Sequence, residues 1–423
     1  MDTYHMTLNY LIQLRKLVMN KILVKPIIQL YVTFVLLFFI SLSSASVSGD
    51  ELTDTPRFDY YGFVTQGIIK TRGNDYFGIS SGNNISLDFR EIGIGAKYRA
   101  TSNLSFTGLA LTRDAGGTDN DQPRVDHANI EYVYRNLTLL AGRVKLPLGL
   151  YNETRDVANT RPSILLPQSL YFDNARNYLI NSDGAYIHYN YFDHDSGNSA
   201  KIIFGVAQSV GGNNIETEAF YLGANHPGDV ETTTGTLLQL IYDIARTDTT
   251  VGILIATNSI KYRPAKVDYL TAGETRTYPL VLSLQQKYEK LTFTGELFLP
   301  KRVRKGYGPV IPDKESYTQG QYLMVNYAHN AKLEMFVRHD ALYFDNKDKN
   351  GTELAKMTGR NNFNFYAKDW TIGGRYHITS NLKISAEYHS IDGTGWLPLA
   401  DNPDSSSDVR YWDMAMFQMS YSF

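Results

Sequence analysis

The chain has 423 residues, with 41 Lys and Arg against 43 Asp and Glu, 31 tyrosines and no cysteine. Lack of cysteine excludes a disulfide scaffold, a thiolate nucleophile and any Cys-based metal site. A formal charge of −2 argues against nucleic acid as a partner, and no apolar run reaches the roughly 20 residues of a membrane-spanning helix.

The longest apolar run covers about residues 27–40, with Lys21 and Lys25 before it and Ser43-Ser44-Ala45 after it. Positive flank, apolar stretch and small residues make a secretory signal peptide, cleaved after Ala45. Met19 opens a segment of ordinary signal length, so residues 1–18 read as an upstream extension. The leader carries Arg15, Lys16, Lys21 and Lys25 against Asp2, or +3, so its removal takes the chain from −2 to −5.

From residue 57 onward, short segments alternate in polarity with period two, the mark of strands with two unlike faces. Sixteen are expected, at about 58–70, 85–100, 104–113, 125–135, 137–145, 183–192, 200–209, 234–244, 249–262, 277–288, 291–300, 320–329, 332–343, 366–378, 382–391 and 409–423. In the fifteenth, Lys383, Ser385, Glu387 and His389 share one face and Ile384, Ala386 and Tyr388 the other. Glu296 and Asp340 lie on similar polar faces. Charge along one face in strand after strand suits a wet lumen inside and lipid outside. A hairpin missed within 146–182 or 210–233 would raise the count to eighteen.

Connections alternate short and long, as between periplasmic turns and external loops of an outer-membrane barrel. Two short ones, Thr101-Ser102-Asn103 and Thr379-Ser380-Asn381, read as one hairpin solution used twice. Tyrosines near strand ends, such as Tyr60, Tyr98, Tyr132, Tyr189, Tyr376 and Tyr388, suit interfacial girdles. The domain plan is thus a leader over 1–45 and one barrel over 46–423.

The longest connection, 146–182, holds 37 residues and is rich in apolar ones, among them Leu148, Ile164, Leu165, Leu166, Leu170, Tyr171 and Phe172. A loop of that length and composition is functional rather than disordered, and its apolar side chains favour folding into the barrel. Its charges balance, with Arg155, Arg161 and Arg176 against Glu153, Asp156 and Asp173. Arg143 and Lys145, two apart on the fifth strand, are candidate wall charges, with Arg113 and Arg90 behind them. The alternative role for the arginines is pinning the loop to local carboxylates.

The final strand alternates Ala415, Phe417, Met419, Tyr421 and Phe423 against Gln418, Ser420 and Ser422. A terminal Phe after such alternation resembles the signal read by the barrel-assembly machinery, which makes Phe423 and Tyr421 candidate assembly residues. The run Gly142-Arg143-Val144-Lys145-Leu146-Pro147-Leu148-Gly149-Leu150-Tyr151-Asn152-Glu153-Thr154-Arg155-Asp156, continued by Thr160-Arg161-Pro162-Ser163 and Leu166-Pro167-Gln168-Ser169-Leu170-Tyr171, resembles the trimeric Gram-negative outer-membrane porins. It is more distantly similar to the phosphate-selective porins, but the chain shows no basic pore ladder. The resemblance covers the mature chain in architecture and about residues 140–185 in motif. It implies an all-β, sixteen-stranded transmembrane antiparallel barrel in the outer membrane. It also implies a homotrimer among lipid and lipopolysaccharide, passing small hydrophilic solutes and ions through a water-filled channel. An inward constriction loop would carry Glu153, Arg155, Asp156, Arg161, Asp173 and Arg176. No cofactor and no metal are implied. A barrel acting as adhesin or receptor through its external loops is the alternative.

Other constellations are weaker. Asn346-Lys347-Asp348-Lys349-Asn350-Gly351 has the front spacing of a calcium loop, but Met357 stands where the closing acid belongs. His339-Asp340 is the one adjacent pair suggesting catalysis, and strand alternation puts the two on opposite faces.

Overall fold

A computed structural model describes residues 57–210, 215–222 and 226–423, without the side chains of 215, 219 and 220. The expected leader, its cleavage site and the alternative start lie outside the described residues.

Sixteen antiparallel strands close into one barrel. The first eight are β1 (Arg57–Arg72), β2 (Ser86–Arg99), β3 (Leu104–Ala115), β4 (Arg124–Tyr134), β5 (Leu137–Lys145), β6 (Asn181–Phe192), β7 (Ser199–Ser209) and β8 (Thr234–Ile244). The rest are β9 (Thr249–Arg263), β10 (Leu280–Tyr288), β11 (Leu291–Phe298), β12 (Gln319–Ala328), β13 (Leu333–Tyr343), β14 (Tyr366–His377), β15 (Leu382–Gly393) and β16 (Tyr411–Ser422). β16 returns to β1 in register from Phe63↔Ser422 to Arg72↔Asp413, which closes the sheet and leaves no edge. Phe423 extends the seam, exchanging two backbone hydrogen bonds of 3.0 Å with Gly62.

The count stays at sixteen. No hairpin lies within 146–180, and the additional strands stand outside the barrel wall. Residues Asp229–Thr232, Gly273–Tyr278, Lys301–Lys305 and Lys314–Tyr317 pair beside the external end of β9 as a small sheet. Pro279 separates that extension from β10, since a residue without N–H cannot serve a continuing ladder.

Alternation sorts the faces as expected. On β14, Trp370 and Ile372 are exposed while Asp369 and Thr371 are buried. On β15, Ala386 and Tyr388 point outward and Lys383, Ser385, Glu387 and His389 are buried inside. Exposed Val64, Ile68, Phe204, Leu240, Ile253, Leu284 and Leu323 continue the outer belt around the barrel, which is the surface a bilayer requires. This is an outer-membrane β-barrel, and its polar faces look inward. At mid-height those faces are covered by the segment between β5 and β6, the inward loop expected from its length and apolar composition.

The repeated hairpins are the same structure. Thr101 Oγ1 accepts from the amides of Asn103 (3.2 Å) and Leu104 (3.0 Å), and Thr379 Oγ1 does so from Asn381 and Leu382 at the same distances. Each asparagine then donates to the carbonyl of a neighbouring strand, Asn103 to Val133 and Asn381 to Ser422, both at 2.6 Å.

Candidate functional site

Residues 146–180 leave the end of β5 and run inside the barrel. The path is built from short turns, Asn152–Thr154 and Ala158–Thr160, and ends in a single helical turn, Arg176–Leu179. Leu148, Ile164, Leu165, Leu166, Leu170, Tyr171 and Phe172 pack in one cluster with inward wall residues Leu254, Val281, Phe298, Met324 and Phe336. Burying a large apolar side chain contributes about 1.5–3 kcal/mol, so the composition that suggested an inward fold also drives it.

Wall carboxylates take the loop's backbone amides. Glu296 on β11 accepts from Leu150 N–H at 3.0 Å, from Ser283 and Tyr322 hydroxyls at 2.6 Å, and from the Tyr171 hydroxyl. Asp340 on β13 accepts from Ser169 N–H, and Glu387 on β15 accepts from Ile164 and from Leu165 at 3.2 Å. Arg338 donates to the Leu165 carbonyl at 2.8 Å and Arg375 to that of Arg161 at 2.6 Å. Gly320 lies so close to the loop that a Cβ there would stand 2.1 Å from the Ser169 carbonyl oxygen.

A second anchor is ionic. Glu91 on β2 sits among Arg161 (2.7 Å), Arg113 (3.2 Å) and Arg176 (3.6 Å). Asp173 meets Arg113 (3.0 Å), Arg155 (3.3 Å) and Arg176 (3.6 Å), while Asp156 pairs with Arg176 and Lys145. Glu91, Arg113, Arg155, Asp156, Arg161, Asp173 and Arg176 are each at most 7% exposed. Isolated charges so buried would be very costly, and mutual pairing is what makes the cluster tolerable.

The residues expected at the constriction are therefore together, but five of the six face one another rather than solute. Arg155, Asp156, Arg161, Asp173 and Arg176 form the buried cluster, and Glu153 alone is exposed, 3.4 Å from Lys201 on β7. Of the expected wall charges, Arg113 points inward but is buried among Glu91 and Asp173. Lys145 is tied to Asp126 and Asp156.

Arg143 and Arg90 are corrections. Arg143 lies opposite Asp183 on the outward face shared with Leu139 and Ile187, and grips that carboxylate through Nε (2.8 Å) and Nη2 (3.0 Å). Arg90 shares the outward face of β2 with Ile92 and Ile94 and pairs with Asp114 (2.5 Å) and Asp121 (2.7 Å). Neither lines the lumen. Besides Lys201, inward charges that keep solvent exposure include Lys97 with Glu131 and Arg375 with Glu334, each pair 2.8 Å apart.

The sequence reading missed Glu91 altogether. It placed Glu296, Asp340 and Glu387 on the polar face without seeing their partners, because those partners are amides of a distant loop.

External segments cover the loop from above. Tyr76, Phe77 and Trp396 join its core cluster. Glu216, in the helix Ile215–Leu222 after β7, accepts from the amides of Leu399 (3.3 Å) and Ala400 (2.7 Å) in the connection after β15. Those connections leave opposite sides of a sixteen-stranded barrel, so the contact bridges the mouth. Burial pushes the Glu216 carboxyl up to about 7.

Two secondary constellations are also placed. His339 packs outward against Trp370, ring centroids 4.6 Å apart and planes tilted by 51°, while Asp340 points inward. Asp348 accepts from the amides of Thr352, Glu353 and Leu354 at 2.9–3.0 Å, so this acid of the calcium-like run starts a short helix.

Neither a protein-family model nor the sequence of a curated protein matches the chain. Solved structures do. The outer-membrane channel DcaP of Acinetobacter baumannii is 12% identical with a TM-score of 0.57, covering 89% of this chain and 100% of that one. The anion-selective porin from Comamonas acidovorans is 10% identical with a TM-score of 0.55, covering 87% and 100%. OmpT, an outer-membrane protein of Vibrio cholerae in a trimer form, is 12% identical with a TM-score of 0.54, covering 88% and 100%. At these identities the likeness is one of fold, and the fold is that of the Gram-negative outer-membrane porins.

Proposed function

We propose that the protein is a porin, a passive channel for small hydrophilic solutes and ions, whose inward loop sets the width of the passage. The observation carrying this reading is the anchoring of residues 146–180 to strands around the barrel, from Glu91 on β2 to Glu296, Asp340 and Glu387 on β11, β13 and β15. A wide barrel is otherwise an aqueous hole, and a loop held so firmly inside it is a fixed constriction. Names of the similar structures, an outer-membrane channel and an anion-selective porin, support the same reading. The trimer form of another supports a homotrimer. The solute-facing charges assigned here are Glu153, Lys201, Lys97, Glu131, Glu334 and Arg375. Phe423 and Tyr421, outward on the closing seam, are assigned to recognition by the barrel-assembly machinery. No catalysis or cofactor enters this account.

A second reading, a plugged barrel serving as receptor or adhesin, draws on the complete burial of residues 161–173 and on the Glu216 bridge over the mouth. Refolded protein in a planar bilayer separates the two. Stable ohmic steps support the channel; a silent membrane with an intact strand spectrum supports the receptor.

A further inference from the structure

Where the connections after β13 and β15 meet the inward loop, the external mouth holds a cavity of about 70 Å³. Asn174 of the inward loop lines it, with Arg360, Asn364 and Asp408 as further polar groups and Phe344 and Leu397 as apolar ones. One water takes up roughly 10–15 Å³ of such space, so about five or six heavy atoms fit.

The charges of the cavity are held apart. The Arg360 guanidinium lies on the Phe365 ring, 5.6 Å from its centroid, and its Nε is buried without a hydrogen-bond partner. No carboxylate among the described residues pairs with it, although Asp408 lines the same cavity. Asp408 is fixed by Asn364 Nδ2 (2.6 Å) and Thr394 Oγ1 (3.4 Å), both donating to Oδ2, which leaves Oδ1 for a ligand. Asn364 is 3% exposed, and its Oδ1, like that of Asn174, has no partner. The other carboxylate of the wall, Glu216, is occupied by the amides of Leu399 and Ala400.

Buried polar groups left unmet are costly, and what would meet these is specific. A guanidinium takes a carboxylate through two parallel hydrogen bonds. A carboxylate and two amide oxygens only accept, so they call for a cation with several N–H donors. An anion alone leaves Asp408 unmet, and a cation alone leaves Arg360 so. We propose that this cavity binds a small free α-amino acid, its carboxylate on Arg360 and its ammonium on Asp408 and the amide oxygens of Asn174 and Asn364. The size of the cavity and its apolar side, Phe344 and Leu397, favour a short uncharged side chain. Because Asn174 belongs to the inward loop, the bound solute stands at the entrance to the passage. That consequence for uptake rests on the channel reading above; the binding does not.

Ligand-observed NMR titration of the detergent-solubilised barrel with L-alanine tests it. Saturable binding at one site per chain is expected. Propionate, which lacks the ammonium, and ethylamine, which lacks the carboxylate, should each bind about tenfold more weakly, a loss of roughly 1.4 kcal/mol. Arg360→Gln and Asp408→Asn should each weaken alanine binding to a similar extent. Arg143→Gln, outside the lumen, should bind as the wild type does. Far-UV circular dichroism of each variant confirms the barrel. Alanine binding that does not saturate, either analogue binding as tightly as alanine, undiminished binding by either cavity variant, or an equal loss in Arg143→Gln would each overturn the assignment. Bilayer conductance of the same preparation is a separate readout, since a silent membrane with alanine binding intact removes the channel and leaves the site.

Discussion

Glu91 on the wall of β2 and Arg161 in the inward loop form a 2.7 Å ion pair in which neither side chain exceeds 5% exposure. Arg113 and Arg176 share the same carboxylate. Glu91→Ala would leave three guanidinium groups short of a partner in a buried site. Breaking a buried pair on one side costs about 3–5 kcal/mol. Urea unfolding in lipid vesicles should show a loss of that order, whereas Arg143→Ala, at an outward and partly exposed pair, should change stability by about 0–1 kcal/mol.

Ion selectivity should follow the charges that keep contact with water. Lys201→Gln should move the reversal potential toward cations and Glu153→Gln toward anions, because their side chains are 35% and 41% exposed. Arg143→Ala and Arg90→Ala should leave it unmoved, since both side chains stand outside the lumen. A shift in either would contradict the facing of β5 or β2.

Gly320 has no room for a methyl group. Alanine there would press on the Ser169 carbonyl and lift this stretch of loop from Asp340. The expected cost is about 1–3 kcal/mol, as for overpacking generally. Hydrogen exchange should show Ser169 losing protection while the turn at Thr379–Asn381 keeps its own.

The bridge over the mouth should depend on pH. The Glu216 carboxyl is raised to about 7 in the closed arrangement from an ordinary value near 4.5. Closure therefore binds the proton more tightly than opening does. Its contribution is complete below about pH 4.5 and fades as pH rises through 7. Exchange at Leu399 and Ala400, corrected for the intrinsic pH effect, should be faster relative to other loop amides at pH 8 than at pH 5.5. Glu216→Gln should abolish that difference.

The barrel was legible because strand periodicity, turn spacing and connection lengths are local properties. Sixteen strands, the twin hairpins and the inward loop all follow from residues close in sequence. Facing was legible too, where alternation was carried through. Leu137, Leu139 and Ala141 on β5 put Arg143 outside by parity, as Ile92 and Ile94 do for Arg90. The parity of these apolar neighbours, not the spacing of Arg143 from Lys145, decides where Arg143 points. The anchors were not legible, because Glu296, Asp340 and Glu387 bind loop amides more than 120 residues away in sequence. Composition could not tell a loop charge that meets solute from one that meets its neighbour. Glu153 and Asp156 differ in this by a single turn.

The central claim is that the loop after β5 sets the passage. Single-channel conductance of the barrel, with and without residues 148–168, tests it most directly. A several-fold rise on deletion, with strand content unchanged, is the expected result. Equal conductance in the two forms would show that the loop does not constrict, and would remove the basis for the channel described here.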